Sequence, residues 1–264
     1  MQIIRVRNIN SGGRTNGCEK APVAVLDALK NIESNERGKL IEFEKLNLEE
    51  IHVNFEDIEE ANHLIFENSR LAFERNFKTI LIGGDHSIDY PIIKAFCKNE
   101  KNPLLIVFDA HADCKPGSGK IPMHEEWLHR LVEEGFDAGS VILVGTRDVG
   151  EEELEFIKKN KINIIKMDIL QEDLAGICDL IMERARNSSG FYISIDIDCV
   201  DPAFAPGACD IEPGGLSSRE LIYFIKRLSL LENFKGADIV EINPDKDVNE
   251  MTVKLGAKIL GEMM

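Results

Sequence analysis

Two rhythms of apolar residues alternate along this chain. Short apolar runs at 2–8 (QIIRVRN), 78–84 (KTILIGG), 103–110 (PLLIVFDA), 140–146 (SVILVGT), 162–167 (INIIKM), 190–198 (GFYISIDID) and 237–243 (ADIVEIN) have the length and the Ile, Val and Leu content of buried strands. Longer segments between them carry a helical period. Over 56–76, Ile58, Ala61, Leu64, Ile65 and Ala72 recur on one helix face, and 217–231 opens with the capping-box pair Ser217 and Glu220. Strand and helix in alternation predict a parallel sheet covered on both faces, a three-layer α/β/α fold. No repeat, low-complexity tract or linker-like shift interrupts the pattern, so the chain reads as one domain over 1–264.

Polar residues gather at one end of these strands. GGDHS follows the strand ending near Ile82, DAHAD the one ending near Phe108, and GTRD the one ending near Val144. DIDCVDP closes the 190–198 run and EINP the last. Five segments thus deliver polar groups to the carboxyl edge of one sheet, where open α/β folds bind ligands.

Alternate side chains of an extended backbone share a face, so Asp109, His111 and Asp113 are expected to point one way, and Asp196 and Asp198 likewise. With His86, two imidazoles and four carboxylates then converge. Carboxylates taken from water unpaired cost several kcal/mol or hold protons, so something must compensate them. A lone D-x-H-x-D also fits a loop or a salt-bridge cluster; three motifs at matching strand ends point to metal. Nitrogen and oxygen donors without thiolate suit Mn(II) first, with Fe(II), Co(II), Ni(II) or Zn(II) as alternatives. Four carboxylates exceed the charge of one dication and match two, so a binuclear centre is expected.

Composition narrows the setting. The 264 residues are 44% hydrophobic and 30% charged, ordinary for a soluble globular chain. A net charge of −16 argues against phosphate-backbone binding, and so against a nucleic-acid partner, and favours solubility or the attraction of cationic small molecules. Acidic runs such as NLEEIHVNFEDIEEAN and GEEELEF read as solvated helix faces. No run resembles a signal peptide or approaches the roughly 18 apolar residues of a membrane span, so a cytoplasmic protein without a membrane partner is expected. Six cysteines without a C-x-x-C pair read as reduced core residues, with Cys114 and Cys209 in or beside the motifs.

In chain order, GGDHS, DAHAD, SIDIDCVDPAFAPG and EINP resemble the motifs of the arginase, agmatinase and formimidoylglutamase family of ureohydrolases. GCEKAPVAVLDAL at 17–29 is similar to that family's N-terminal G-x-E-x-x-P helix start. The resemblance implies an arginase/deacetylase-type fold, two Mn(II) ions per chain, a small guanidino substrate, and a homo-oligomer, trimer or hexamer. It also implies attack by a metal-bridging hydroxide, releasing urea and an amine. Residue by residue, it implies that His86, Asp113, Asp109 and Asp196 hold one ion and that His111, Asp198, Asp109 and Asp196 hold the other. Asp109 and Asp196 would then bridge, and Asp113 joins the catalytic set. Glu241 matches the acid that grips the guanidinium, a planar donor array for which a carboxylate fork is the natural partner. His124 matches a histidine that moves protons to the leaving amine, a role suited to imidazole. Trp127, Leu128 and His129 are assigned to the following helix itself, and Asp85 and Asp201 to orienting ligands and turns.

Departures from the family pattern concern the substrate. Glu125 replaces the glycine that follows the family's histidine, and CKPGSGKIPM lacks the Asn and Ser residues that arginases place around the amino-acid group. Arg147, Asp148 and Val149 are kept, with Asp148 a substrate contact, but Gly150 stands where arginases carry an acid. Asp210 replaces a pocket threonine and would favour a cationic tail. Lys115 or Lys120 would instead favour a substrate carboxylate. An amidinohydrolase of arginase or agmatinase type is therefore expected; formimidoylglutamase or ω-guanidino-acid hydrolysis, or a deacetylase-type metal hydrolase on the same fold, are the alternatives.

Overall fold

A computed structural model describes residues 1–75 and 78–264. The chain runs β1 (Gln2–Val6), α1 (Ala21–Leu29), β2 (Asn47–Ile51), α2 (Ile58–Glu74), β3 (Thr79–Gly83), α3 (Asp89–Cys97) and β4 (Pro103–Phe108). It continues through α4 (Trp127–Glu133), β5 (Val141–Thr146), α5 (Glu151–Asn160), β6 (Asn163–Lys166), α6 (Met167–Glu172), α7 (Leu174–Arg186), β7 (Gly190–Ile195), α8 (Ser218–Leu228), β8 (Phe234–Ile239) and α9 (Met251–Glu262). Among the described residues eight strands form one parallel sheet in the order β2-β1-β3-β8-β7-β4-β5-β6. No helix among them is long and apolar enough to cross a membrane.

Strand pleating sorts the core into two layers. Ile80, Ile82, Ile106, Phe108, Ile193 and Ile195 pack with Val25 and Leu29 of α1, Phe224 and Ile225 of α8, and Ile259 of α9. Their neighbours Leu81, Leu105, Val107 and Tyr192 face the other way, onto Ile65 of α2, Phe96 of α3 and Trp127 and Leu128 of α4. A central strand buried on both faces has no polar side to show, which is why these strands read as unbroken apolar runs. Each such side chain contributes roughly 1.5–3 kcal/mol through burial. The expected capping box starts α8: Glu220 N–H donates to Ser217 Oγ at 3.3 Å, and Ser217 N–H donates to Glu220 Oε2 at 2.7 Å.

Two expectations are corrected. The acidic run from Asn47 is not all helix face: β2 occupies Asn47–Ile51 and pairs with β1 at the sheet edge. An edge strand meets water, so it tolerates Glu49 and Glu50, and Arg5, directly opposite Glu50, lies 2.5 Å from its carboxylate. The helix begins only at Ile58, capped by Asp57, and ends at Glu74; the expected residue 76 lies outside the described residues.

The second correction concerns how the motif residues converge. DAHAD and DID are not extended, since β4 stops at Phe108 and β7 at Ile195. At three strand ends an aspartate turns the chain by accepting the N–H two residues on: Asp85 from Ser87 at 3.1 Å, Asp109 from His111 at 2.6 Å and Asp196 from Asp198 at 2.9 Å. Such turns compete with the strand ladder and end it. Residues i and i+2 meet through a tight turn, not across a strand face. The last run shifts too: β8 covers Phe234–Ile239, and the chain has left the sheet before Glu241, whose φ is 62°.

Candidate metal centre

β3, β8, β7, β4 and β5 are successive neighbours, so the loops after them open side by side. His86 enters from the turn after β3. Its Nδ1 lies 2.9 Å from Asp113 Oδ2 and 3.3 Å from both Asp109 Oδ2 and Asp196 Oδ2. His111 Nδ1 lies 2.9 Å from Asp198 Oδ2 and 3.6 Å from Asp109 Oδ1. Donor atoms of His86, Asp109 and Asp196 form one group within 4.8 Å, and those of Asp109, His111 and Asp198 form another. Asp109 belongs to both, one oxygen turned to each imidazole.

These distances fit cations between the side chains. Donors about 2.1 Å from one octahedrally coordinated ion stand about 3 Å apart along its edges. His86 Nδ1 and Asp109 Oδ2 are buried without a hydrogen-bond partner, although carboxylate oxygens crowd the imidazole. Burial, then Asp198 and Asp113, pushes the Asp109 carboxyl above its ordinary range; burial, then Asp198 and Asp109, pushes Asp196 further. Burial opposes the charged form of His86, yet Asp89, Asp109 and Asp113 raise it well above the ordinary histidine value. Carboxylates packed so closely must share protons or cations, and the mixed N/O donor set suits borderline or hard divalent ions.

Groups behind the cage hold it in place. His86 Nε2 lies 2.9 Å from Ser194 Oγ, which donates to Asp238 Oδ1 at 3.2 Å. Trp127 Nε1 donates to Asp113 Oδ2 at 2.9 Å, and its ring lies 5.0 Å from that of His86. Ala110 N–H donates to Asp198 Oδ1 at 3.0 Å. The sequence pattern assigns Trp127 to its helix and no role to Ser194, Asp89 or Asp238. The available signal was a polar residue inside an otherwise apolar strand, as Ser194 is in FYISI and Asp238 in GADIV.

A cavity of about 460 Å³ opens over the cage, with His111, His124, Asp148, Asp210 and Glu241 in its wall. Glu241 is buried, its Oε1 accepting the His86 backbone N–H at 2.8 Å. Burial, then Asp196 and Asp85, pushes its carboxyl well above the ordinary range. Asp113 and Glu241 are both left-handed without being glycine, with φ of 51° and 62°. Backbone strain of this kind costs about 1–3 kcal/mol per residue and clusters at functional sites. His124 is buried before α4, its N–H donating to Asn10 O at 3.3 Å and its Nδ1 without a partner.

The wall's cations are engaged. Lys115 Nζ lies 2.6 Å from Glu125 Oε2 and Arg14 Nη2 lies 2.7 Å from Glu125 Oε1, while Lys120 pairs with Glu59 away from the cavity wall. Glu125, which the sequence shows only as a departure, therefore pairs with both basic groups at the mouth, one carboxylate between two cations. Arg147 turns from the substrate space to clamp the carbonyls of Asp198 and Pro213 at 2.7 and 3.1 Å. Glu153, from the run read as solvated, is buried and accepts the N–H groups of Cys114 and Gly150, both at 3.0 Å.

A sequence model described as "Arginase family" matches residues 5–264. Arginase 1, mitochondrial, of Arabidopsis thaliana is 35% identical over 213 residues, 78% of this chain and 60% of the plant protein. The agmatinase of Bacillus subtilis (strain 168) is 34% identical over 184 residues, 69% of this chain and 61% of the relative. Formimidoylglutamase of the same strain is 31% identical over 254 residues, 92% of this chain and 80% of the relative. The crystal structure of formimidoylglutamase from that organism superposes with a TM-score of 0.90 at 27% identity, covering 99% of this chain and 85% of that one. The chain thus spans about 60% of the length of the plant arginase it matches. With the match running from β1 through α9 and enclosing every residue of the cage, the chain belongs to the arginase family.

Proposed function

We propose that this chain is a binuclear-manganese amidinohydrolase that converts a guanidino compound to urea and an amine, of arginase or agmatinase type. The observation that carries the reading is the pair of His/carboxylate groups sharing Asp109 beneath one cavity. His86, Asp109, Asp113 and Asp196 would hold one ion, and His111, Asp109, Asp196 and Asp198 the other. Two such ions, when bound, supply an activated water at neutral pH and positive charge for the developing oxyanion.

The chain's own groups do the rest. Glu241, fixed by the His86 N–H, offers its carboxylate to the guanidinium, and binding that cation favours the ionised form that burial opposes. His124 stands in the cavity wall, where its imidazole can pass a proton to the leaving amine.

The far end of the substrate meets an acidic mouth. Lys115 and Arg14 both pair with Glu125, and Asp148, Asp210 and Glu212 add further carboxylates to the same wall. The carboxylates of this wall outnumber its two cations, which favours a cationic tail, so a guanidino amine of the agmatine kind fits better than a guanidino acid. The likeness to formimidoylglutamase supports a second reading in which Lys115 or Arg14 leaves Glu125 for a substrate carboxylate.

The test is urea or formamide release by manganese-loaded protein across arginine, agmatine, guanidinobutyrate, guanidinopropionate, guanidine and formimidoylglutamate. Agmatine is expected to give the highest kcat/KM. Failure to hydrolyse any of them at full metal occupancy would end the proposal, and one ion per chain with amide cleavage would replace it by a deacetylase-type activity.

A further inference from the structure

Next to Glu241 the fold assembles a second donor group that the proposed hydrolysis does not use. The sulfurs of Cys18 and Cys209 and a carboxylate oxygen of Glu241 lie within 4.8 Å of one another, and all three residues are buried. Cys18 Sγ stands 3.8 Å from Glu241 Oε2, the oxygen not engaged by the His86 N–H.

Backbone contacts fix this arrangement. Cys209 N–H donates to the carbonyl of Glu241 at 3.0 Å, so the two residues move together. Cys18 follows Gly17, whose φ is 107° and where a Cβ would lie 2.3 Å from Asn243 Oδ1. Asn243 in turn reaches Asn16 O at 3.0 Å and Cys209 Sγ at 3.6 Å through Nδ2. Three segments distant in sequence are thereby locked with their soft donors together.

Two sulfurs and one oxygen form a different donor class from the N/O cage and suit a thiophilic ion. With metal–sulfur bonds of about 2.3 Å and metal–oxygen bonds of about 2.1 Å, tetrahedral zinc separates its donors by about 3.5–3.8 Å. The charges also close: two thiolates and a carboxylate carry three negative charges, which a dication and the Lys246 ammonium, 3.9 Å from Cys209 Sγ, offset. Asn243 Nδ2, 3.6 Å from Cys209 Sγ, and that ammonium give a thiolate there two polar neighbours.

We propose that Cys18, Cys209 and Glu241 form a separate site for a thiophilic divalent cation of the zinc and cadmium class, reached from the cavity through Glu241. Each sulfur gives its proton to solvent as its bond to the ion forms, and nothing is oxidised or reduced. Occupation withdraws the carboxylate meant for the guanidinium, so the ion inhibits; this consequence rests on the proposed function, whereas binding does not.

The test titrates reduced, manganese-loaded, full-length protein with cadmium, whose thiolate complexes absorb in the ultraviolet. An absorption band saturating near one equivalent is expected, without manganese release. Cys18→Ser and Cys209→Ser, checked for native circular dichroism, should each abolish that band. Urea release by the parent protein should fall about tenfold or more in parallel, as when a charged hydrogen-bond partner is lost. A band that survives in both variants, or no band from a parent protein with free thiols, overturns the site. A band present in a preparation that hydrolyses no guanidino compound keeps the site and removes only the inhibition.

Discussion

Trp127→Phe probes whether the groups behind the cage set its affinity. Trp127 Nε1 donates at 2.9 Å to Asp113 Oδ2, the oxygen that also lies 2.9 Å from His86 Nδ1. Phenylalanine keeps an aromatic ring in the cluster with His86 and deletes that single donor. A hydrogen bond to a charged acceptor contributes about 1.5–3 kcal/mol, which converts to roughly 10–150-fold in a binding constant. Loss of a partner to a metal-ligating carboxylate falls in the same range, about 10–100-fold. Because Asp113 approaches His86 and not His111, one of the two manganese affinities should weaken by that factor while the other stays within about threefold. Isothermal titration and electron paramagnetic resonance of free manganese resolve the two steps. The parent protein has a built-in reporter, since Trp127 is its one tryptophan and manganese should quench its fluorescence. Two unchanged affinities in a folded Trp127→Phe protein would refute the positioning role, and equal weakening of both would refute the assignment of Asp113 to one ion.

Other expected outcomes address single links of the argument. Asp109→Ala should abolish binding of both ions, because Asp109 belongs to both donor groups, whereas Asp198→Ala should lose one; two tightly bound ions in Asp109→Ala would contradict the geometry. Glu241→Gln should retain manganese and raise KM for the guanidino substrate about 10–150-fold, the weight of a charge-assisted contact, and an unaltered KM would count against its role. Glu125→Gln should weaken the hold on Lys115 and Arg14 and shift the kcat/KM ratio toward guanidino acids; an unmoved ratio would mean that mouth charge does not select the tail. Lys226, then Arg219, holds the Glu36 carboxyl down to about 2 from an ordinary 4.5. Its stabilising contribution is complete above about 4.5 and lost as pH falls toward about 2, and Glu36→Gln should flatten the acid limb of chemical denaturation in that window. Solvent screening limits this to about 0.2–1 kcal/mol, so an unchanged acid limb beyond that precision would rule out the linkage.

The sequence by itself determined the layer architecture and the chemistry of the cage. Buried central strands must be apolar on both faces, so β3, β4, β5 and β7 announce themselves, and six N/O donors at strand ends are too costly to bury without cations. It did not reveal β2, because an edge strand obeys solvent on its open side and its glutamates look like a helix face. Nor did it reveal how the ligands meet, since period-two alternation applies only while the backbone stays extended, and the aspartates end the strands by capturing their own N–H groups. Tertiary structure alone decided the pairings between residues distant in sequence: Trp127 on Asp113, Glu125 on both Arg14 and Lys115, and Cys18 with Cys209 beside Glu241. Those contacts follow from strand order, which places the segments after β1, β4, β5, β7 and β8 around one cavity, and no local pattern carries that order.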